Sequence, residues 1–548
     1  MEIALRPGWR LTLRTLPWGW TATALLLAGL LALPVLTVPL GALAPAGPAW
    51  THVVETLLPR YFGNTLYLLL ASGALALVIG AGTAWLVTMC EFPGRRHLRW
   101  ALALPLAVPA YMAAYVYAAM GDVTGPLQKL LRAVLPGNAD AVYYWNLMRI
   151  EVVAVIFALV LYPYVYLPCR ALLASRAGRT LEAARMLGRG HFAVFRTIGL
   201  PLARPAMAGG LALVLMEVIN DYGAVKYYGV QTFTTGIFRA WFTLGDLDTA
   251  VRLAGILMLV VFTLLVAERW QRGSARYAAS GAGAQATPYP LRGAGAWLAA
   301  LCCTLPVLLG FLIPVLQLIA WTVQTAPAVV DAAFLRLTLN SLGLAAAAGV
   351  LAVAVALVLG YACRLDPTRI TRGATRLAVL GYSVPGAVIA VGMLTITLSV
   401  DRGLGGTTTL WLTGTLGALI AAYVVRFMAV AYLPVDAGLE RIGPRLTEAS
   451  RMLGARPWRT LWRIELPLLK GTLVAAATLV VIDVLKELPL TLILRPFNFD
   501  TLATRAFQLA SDEQVAQSAP AALLVIACAT AVVLLLHSSV DRGSHREP

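Results

Sequence analysis

Charged side chains within long apolar segments are the residues of this sequence that could take part in chemistry. Glu217 and Asp221 lie in one such segment, and Asp483 and Glu487 lie at the equivalent positions of another, 266 positions further on. Carboxylate oxygens suit hard cations, so these acids predict a translocation path for a cation. They also fit a gate or a packing contact, since Lys486 follows Asp483 by three residues, within reach of an intrahelical ion pair. Both interpretations remain open from the sequence.

No pattern in the sequence predicts a catalytic centre, a resident metal or a cofactor. The five histidines are scattered, and the six cysteines lack the paired spacing of metal, redox or disulfide frameworks. Each of the four lysines follows a Gln, Val or Leu residue, so the Gly-Lys-Ser/Thr core of a phosphate-binding loop does not occur. We therefore expect a protein that is not an enzyme and has no ATPase motif of its own.

Two polar connections, 179–201 and 445–467, carry the same pattern. Each contains a Glu-Ala-small triplet and a glycine after three further residues, and an isoleucine and a Leu-Pro pair then follow at identical spacing. The triplets and glycines are Glu182, Ala183, Ala184 and Gly188 in the first copy, and Glu448, Ala449, Ser450 and Gly454 in the second. Because two copies keep the same internal spacing, the pattern indicates a shared function.

The pattern predicts a short helix–turn–helix in each connection. Thr447 is expected to cap the second copy, with the glutamate in the first turn, where the helix dipole favours a carboxylate. Gly188 and Gly454 are expected to adopt the left-handed conformation that ends a helix, and Pro201 and Pro467 to lie in the first turn of the next span. Such a unit can act as a rigid lever against a partner; an interfacial helix without a partner is the alternative.

Apolar runs long enough to cross a membrane occur twelve times. With 59% hydrophobic and 13% charged residues, the chain is too apolar to bury its surface in one globule, so the bilayer is its solvent. Each run covers the roughly 20 residues that a helix needs to span the hydrocarbon core. They lie near 21–43, 64–90, 98–120, 151–173, 201–225, 250–267, 294–322, 339–362, 375–399, 408–433, 467–494 and 518–537. The fold class is therefore all-α integral membrane.

The two halves of the chain repeat each other. Asn64-Thr65-Leu66 recurs as Asn340-Ser341-Leu342, and an offset of 266 relates the two polar connections and is expected to continue through Phe233 with Phe499 and Asp246 with Asp512. We predict a six-helix half at 1–268, a cytoplasmic linker at 269–293 and a second half at 294–548. Since six is even, the two halves are parallel repeats about an axis along the membrane normal.

The distribution of basic residues predicts the orientation. With the N-terminus inside, the cytoplasmic segments hold about three times as many Lys and Arg residues as the opposite segments. Both termini are thus expected in the cytoplasm. The net charge of +17 does not indicate nucleic-acid binding, because the arginines occupy short connections between apolar runs and no basic stripe is interleaved with aromatics. The partner predicted for the chain's apolar surface is membrane lipid.

The paired connections closely resemble the coupling loop in permeases of binding-protein-dependent ABC importers, over nearly the whole chain. The resemblance implies a type I importer permease fold in the bacterial inner membrane. It also implies two copies of a cytoplasmic ATP-binding subunit, one under each loop, and a periplasmic or lipid-anchored substrate-binding protein. Ser450 in place of the second alanine is the one departure from the motif.

Further segments resemble the ferric-iron group of permeases that are fused as two halves in one chain. They are Asn220-Asp221-Tyr222-Gly223, Phe233-Thr234-Thr235-Gly236 and Lys486-Glu487-Leu488-Pro489. The resemblance implies ferric iron as the substrate; thiamine or another cation is the alternative. A secondary transporter driven by an ion gradient would also explain the intramembrane acids, but it would leave the duplicated loops without a role.

Overall fold

The computed structural model describes residues 18–134, 146–176, 190–272, 288–405 and 411–544, and most of them are helical. The helices of the first half are α1 Trp18–Ala42, α2 Trp50–Met89, α3 Arg95–Ala101, α4 Ala110–Gly121, α5 Pro126–Val134, α6 Ile150–Leu161, α7 Pro163–Arg176, α8 Phe195–Asn220 with the short helix His191–Val194 before it, α9 Gly223–Tyr227, α10 Phe233–Phe238 and α11 Leu247–Arg272.

The helices of the second half are α12 Ala294–Val329, α13 Ala332–Leu365, α14 Arg369–Ala378, α15 Gly386–Gly403, α16 Leu416–Ile442, α17 Pro444–Met452, α18 Pro457–Lys486, α19 Pro489–Leu494, α20 Leu502–Ser511 and α21 Val515–Ser544. Among the described residues, two short strands, β1 Cys90–Glu91 and β2 Tyr289–Pro290, pair in parallel. Strand β2 lies in the predicted linker, whose residues 273–287 fall outside the described part of the chain.

Eleven helices in the described ranges are long and apolar enough to cross a membrane. A twelfth span is obtained if Arg95–Ala107 and Ala110–Val134, which meet at a bend of 90°, count as one. The all-α membrane fold with about twelve spans is thus confirmed. Several bounds differ from the sequence prediction: the second span begins at Trp50 instead of 64, and the fifth ends at Asn220 instead of 225.

The third and ninth predicted spans are broken before a proline, which the apolar runs did not reveal. Val108 and Val384 are extended, and Pro109 and Pro385 are the N-cap residues of the helices that follow. The cause is steric, because the proline ring disfavours helical backbone at the preceding residue and has no N–H to donate.

Two intramembrane cations bond the backbone at these breaks. Arg426 Nη1 donates to the carbonyl oxygens of Tyr382, at 3.2 Å, and of Val384. Lys486 Nζ donates to the carbonyl oxygen of Leu106 at 3.0 Å. An unsatisfied carbonyl is costly in hydrocarbon, so both cations stabilise the breaks.

The described helices form two compact units. One comprises the described parts of Met1–Leu40, Leu342–Val484 and Leu494–Phe497; the other comprises those of Gly41–Ser341, Leu485–Ile493 and Asn498–Pro548. Helix α1 therefore packs with helices of the second half.

Polar and aromatic contacts fix α1 in the first of these units. The Trp20 ring lies edge-on to Tyr361, with centroids 5.3 Å apart, and the Thr21 hydroxyl donates to Asp366. Further along, the absence of a side chain at Gly392 allows the Pro34 carbonyl to approach α15 closely. These three contacts hold α1 against α13, against Asp366 directly after α13, and against α15.

The repeat is visible in local geometry, with one correction to the register. In the unit that includes Gly41–Ser341, the Thr65 hydroxyl accepts the N–H of Phe233 at 3.4 Å, and the Ser341 hydroxyl accepts the N–H of Leu502 at 2.8 Å. Phe233 thus corresponds to Leu502, and its predicted pairing with Phe499 is wrong. The pairing of Asp246 with Asp512 is wrong as well, because Asp246 directly precedes α11, whereas Asp512 directly follows α20 and two further residues separate it from α21. The loop before α20 is longer than the loop before α10, which apolar patterning cannot show.

Candidate functional site

The second polar connection folds as a helical elbow, here called the second elbow and defined as residues 444–465. Helix α17 ends at Met452, and Gly454 has φ of +79°, which confirms the predicted left-handed turn. The N–H of Ala455 donates to the Ser450 carbonyl at 3.0 Å and closes this turn. Helix α18 begins at Pro457, so the chain reverses within a few residues.

Thr447 does not cap this elbow, so that prediction is wrong. Helix α17 begins at Pro444, as is common for a proline at a first helical position, and Thr447 is the fourth residue. The Thr447 hydroxyl instead donates to Glu465 Oε1 at 2.6 Å, deep in the elbow.

The tip of the second elbow is exposed and apolar. Met452 and Leu453 are each 88% exposed, and Glu448 and Ala449 beside them are also exposed. Ser450 is buried against the other arm, with its hydroxyl 2.8 Å from the hydroxyl of Thr460. The elbow thus presents a small, largely apolar surface to its surroundings.

Two tryptophans follow the tip on α18. Trp458 and Trp462 are each more than half exposed, and their rings lie edge to face at 5.5 Å. Tryptophan is enriched at membrane–water interfaces, so this pair indicates where the interface lies. The tip precedes the pair along the chain.

The first polar connection is only partly described. Glu182, Ala183, Ala184 and Gly188 lie outside the described residues, and their assignment remains a prediction. The arm that follows matches the second copy: π-helical turns occupy Phe195–Gly199 and Leu461–Glu465, 266 positions apart. Pro201 and Pro467 follow in the first turn of the α-helical segments, because a proline cannot donate to the preceding turn.

The intramembrane acids Asp221 and Glu487 have equivalent positions. Each directly follows a 21-residue α-helical segment and accepts a backbone N–H three residues on: Ala224 to Asp221 Oδ1 at 2.9 Å, and Leu490 to Glu487 Oε1 at 3.2 Å. Both carboxylates therefore stabilise the start of a short helix inside the membrane protein.

The remaining acids of the candidate path lie one turn earlier. Glu217 is half-buried, and its backbone carbonyl accepts the N–H of Asp221 at 3.1 Å. Asp483 and Lys486 are half-buried in the last turn of α18. Within the described residues, no group of three or more His, Cys, Asp or Glu side chains is placed to hold a metal ion.

Aromatic side chains surround the start of α9 in the second unit. A side chain on Gly223 would meet Tyr111 Cβ at 2.6 Å, Leu488 Cδ2 at 2.8 Å and the Tyr115 hydroxyl at 2.8 Å. Tyr111 and Tyr115 are buried, and within the described structure their hydroxyls have no hydrogen-bond partner. Gly223 is thus required by close packing next to Asp221.

Asp246 fixes the connection between α10 and α11. Its carboxylate accepts the N–H of Ala49 at 3.1 Å and both the N–H and the hydroxyl of Thr249, at 2.9 and 2.8 Å. Burial acts to raise its pKa, but these hydrogen bonds outweigh burial and hold the pKa below its usual value. The carboxylate joins the start of α11 to the segment before α2.

The sequence prediction missed two charged residues that the structure places at the elbow and beside it. Arg364 at the end of α13 lies 3.7 Å from Glu465, measured from Nε to Oε1, and the Glu465 side chain is fully buried. Their signal was available, because each is a charge at or near the end of an apolar run. Nothing in the spacing paired them across 101 positions of sequence.

Comparison with known proteins finds one family twice in this chain. Residues 76–271 and 352–544 match the binding-protein-dependent transport system inner membrane component. The Fe(3+)-transport system permease protein FbpB 2 of Haemophilus influenzae is 27% identical over 531 residues, which cover 94% of this chain and 97% of that protein.

Relatives with other names match shorter parts of the chain. The sulfate transport system permease protein CysW of Escherichia coli is 33% identical over 30% of this chain and 53% of its own length. A probable molybdenum ABC transporter permease of Haloferax volcanii is 30% identical over 45% of this chain and 88% of its own length. The two matched regions hold both polar connections and both acid pairs, and the chain belongs to the family of binding-protein-dependent transport system inner membrane components, with the family domain present twice.

Proposed function

We propose that this permease carries ferric iron from a periplasmic or lipid-anchored binding protein into the cytoplasm by alternating access. The second elbow and the first polar connection, 179–201, would each receive one cytoplasmic ATP-binding subunit. Closure of the ATPase dimer would then move both connections together and rock the two halves, 1–268 and 294–548, with α1 following the helices of the second half that it contacts. Both termini of the chain would lie in the cytoplasm.

The observation that carries the coupling proposal is the exposed tip of the second elbow. Met452 and Leu453 expose large apolar surfaces next to Glu448 and Ala449. Apolar side chains exposed this fully on a short, rigid projection fit a protein partner. Glu182, Ala183, Ala184 and Gly188 are proposed to do the same in the first copy. Ser450 is proposed to support the surface from within, because it is buried.

Whole-length similarity to a permease named for Fe(3+) transport supports iron as the substrate. The acids Glu217, Asp221, Asp483 and Glu487 supply the hard oxygen atoms that a trivalent cation prefers. We propose that Asp221 and Glu487 act as a gate, since each already stabilises a short helix at the end of a long one. Lys486, which bonds the backbone at the break in the third span, would hold the gate's surroundings in place.

Uptake into proteoliposomes tests this proposal. The permease is reconstituted with its ATP-binding subunit and binding protein, and uptake of ferric iron, thiamine, sulfate and molybdate is compared. ATP-dependent uptake of ferric iron alone supports the proposal. Uptake of another substrate instead, or uptake of iron by the permease alone after ATP depletion, contradicts it; the latter outcome identifies a secondary transporter.

A further inference from the structure

Hydrogen bonds between buried side chains tie the two arms of the second elbow together. The Thr447 hydroxyl donates to Glu465 Oε1 at 2.6 Å, and the hydroxyls of Ser450 and Thr460 lie 2.8 Å apart. All four side chains are buried, and Glu465 is completely so. Two separate polar contacts therefore cross from α17 to α18.

Arg364 extends this network to the membrane helices. Its guanidinium lies 3.7 Å from Glu465 and donates to the carbonyl oxygens of Leu439, at 2.7 Å, and of Gly443. Arg364 is in the last turn of α13, Leu439 is near the end of α16, and Glu465 is on α18. One side chain thus joins three helices at the base of the second elbow.

None of these five residues is retained at the matched positions of the first copy. By the repeat offsets, Arg364, Thr447, Ser450, Thr460 and Glu465 correspond to Thr88, Leu181, Ala184, Val194 and Gly199. The four counterparts that lie in the first polar connection are small or apolar. The Thr88 hydroxyl donates to the carbonyl oxygen of Ala84 in its own helix.

An aromatic contact takes the place of the ion pair in the first copy. The Trp85 ring lies 5.0 Å from that of Phe195 and packs against Gly199, where any side chain would collide with the indole. Tyr361, which corresponds to Trp85, instead donates its hydroxyl to the Pro457 carbonyl at 2.7 Å. The exchange of a polar set for an aromatic one at matched positions points to different mechanical properties of the two copies.

We infer that Arg364, Thr447, Ser450, Thr460 and Glu465 are positioning residues that lock the second elbow onto the membrane helices, so that motion of the ATPase enters the two halves unequally. The inference rests on the proposed docking of an ATPase at the elbows. Its physical basis is the low dielectric of the site, where loss of one partner leaves a buried charge or donor unpaired. The second elbow therefore has few alternative arrangements, whereas packing of apolar groups is non-directional.

Amide hydrogen exchange on the full-length permease tests the lock without any partner. Thr447→Val removes the hydroxyl at nearly constant shape, and Thr447→Ser retains it. Thr88→Val makes the same substitution in the first half, at the counterpart of Arg364, and serves as the control. We expect exchange in 445–455 to be about tenfold faster in Thr447→Val, with wild-type rates in Thr447→Ser and Thr88→Val. Wild-type exchange in Thr447→Val overturns the lock.

Transport per ATP hydrolysed tests the consequence for coupling. The double variant Arg364→Met/Glu465→Met removes both charges together, so that neither is left unpaired and the protein is still obtained folded. We expect this double variant to bind the ATP-binding subunit but to import between about twofold and thirtyfold less ferric iron per ATP. Import per ATP should also fall in Thr447→Val and should stay at the wild-type value in Thr447→Ser.

The possible failures are distinguishable. Wild-type coupling in both Thr447→Val and the double variant overturns the inference while leaving the proposed function intact. If the ATP-binding subunit does not bind the wild-type elbow at all, the proposed docking is wrong, and the exchange rates alone decide whether the lock exists.

Discussion

Replacing Gly454 separates the conformation of the second elbow from its contact with a partner. Gly454 has φ of +79°, and no atom lies within 4 Å of the position that a Cβ would take. Gly454→Ala therefore costs backbone strain without a steric clash, about 1–2 kcal/mol. Loss of entropy in the unfolded chain offsets roughly 0.4–1 kcal/mol of it. We expect net destabilisation of about 1 kcal/mol.

Gly471 provides the matched control. It also has open space around its Cβ position, but it lies inside α18 with ordinary helical backbone. Gly471→Ala should stabilise the helix by roughly 0.5–1 kcal/mol. The two alanine variants should thus shift the thermal unfolding midpoint of the purified protein in opposite directions. Shifts in the same direction would refute the account of the turn.

A larger substitution at Gly454 tests whether the ATP-binding subunit docks on this surface. Gly454→Leu adds bulk that projects into open space next to Met452 and Leu453, with strain similar to that of Gly454→Ala. If this surface receives the ATP-binding subunit, affinity in a pull-down titration should fall about tenfold beyond the alanine variant, as expected when a well-packed interface is overfilled. Equal affinity of the two variants would show that Gly454 is outside the interface.

Three further predictions concern other parts of the molecule. The pKa of Asp246 is below its usual value, so its hydrogen bonds stabilise the fold above the unfolded pKa of about 4, and this contribution is lost as pH falls through the folded pKa. Below about pH 4, the stability of Asp246→Asn should therefore fall less with decreasing pH than the stability of the wild type does. Identical profiles of unfolding against pH for the two proteins would contradict this. Gly223→Ala places a methyl group against Tyr111 and Leu488 and should destabilise the protein by about 1–3 kcal/mol, lowering the thermal midpoint, whereas an unchanged midpoint would show that the packing yields. Asp221→Ala and Glu487→Ala should each cost about 1 kcal/mol as lost helix caps and reduce iron uptake, while wild-type uptake in both would exclude the gate.

Much of the fold was predictable because the bilayer constrains it strongly. About twelve apolar runs and the helical elbow of the second connection follow from composition and spacing, and the left-handed turn at Gly454 follows from its residue type. The helix breaks at Val108 and Val384 were less visible, since a proline within an apolar run is compatible with either a kink or a break. The start of α17 was misplaced because Thr447 is a common cap residue that here has a long-range partner.

The membrane class, the tandem repeat and the two matching polar connections follow from the sequence alone, because hydrophobic length and local spacing are properties of contiguous residues. The folded structure alone shows that α1 packs with helices of the second half and that Arg364 meets Glu465. It also decided that Arg426 and Lys486 bond the backbone at the helix breaks. Such pairings depend on which helix faces meet in three dimensions. Charges buried in a low dielectric must find partners wherever the packing places them, and sequence separation carries no record of that choice.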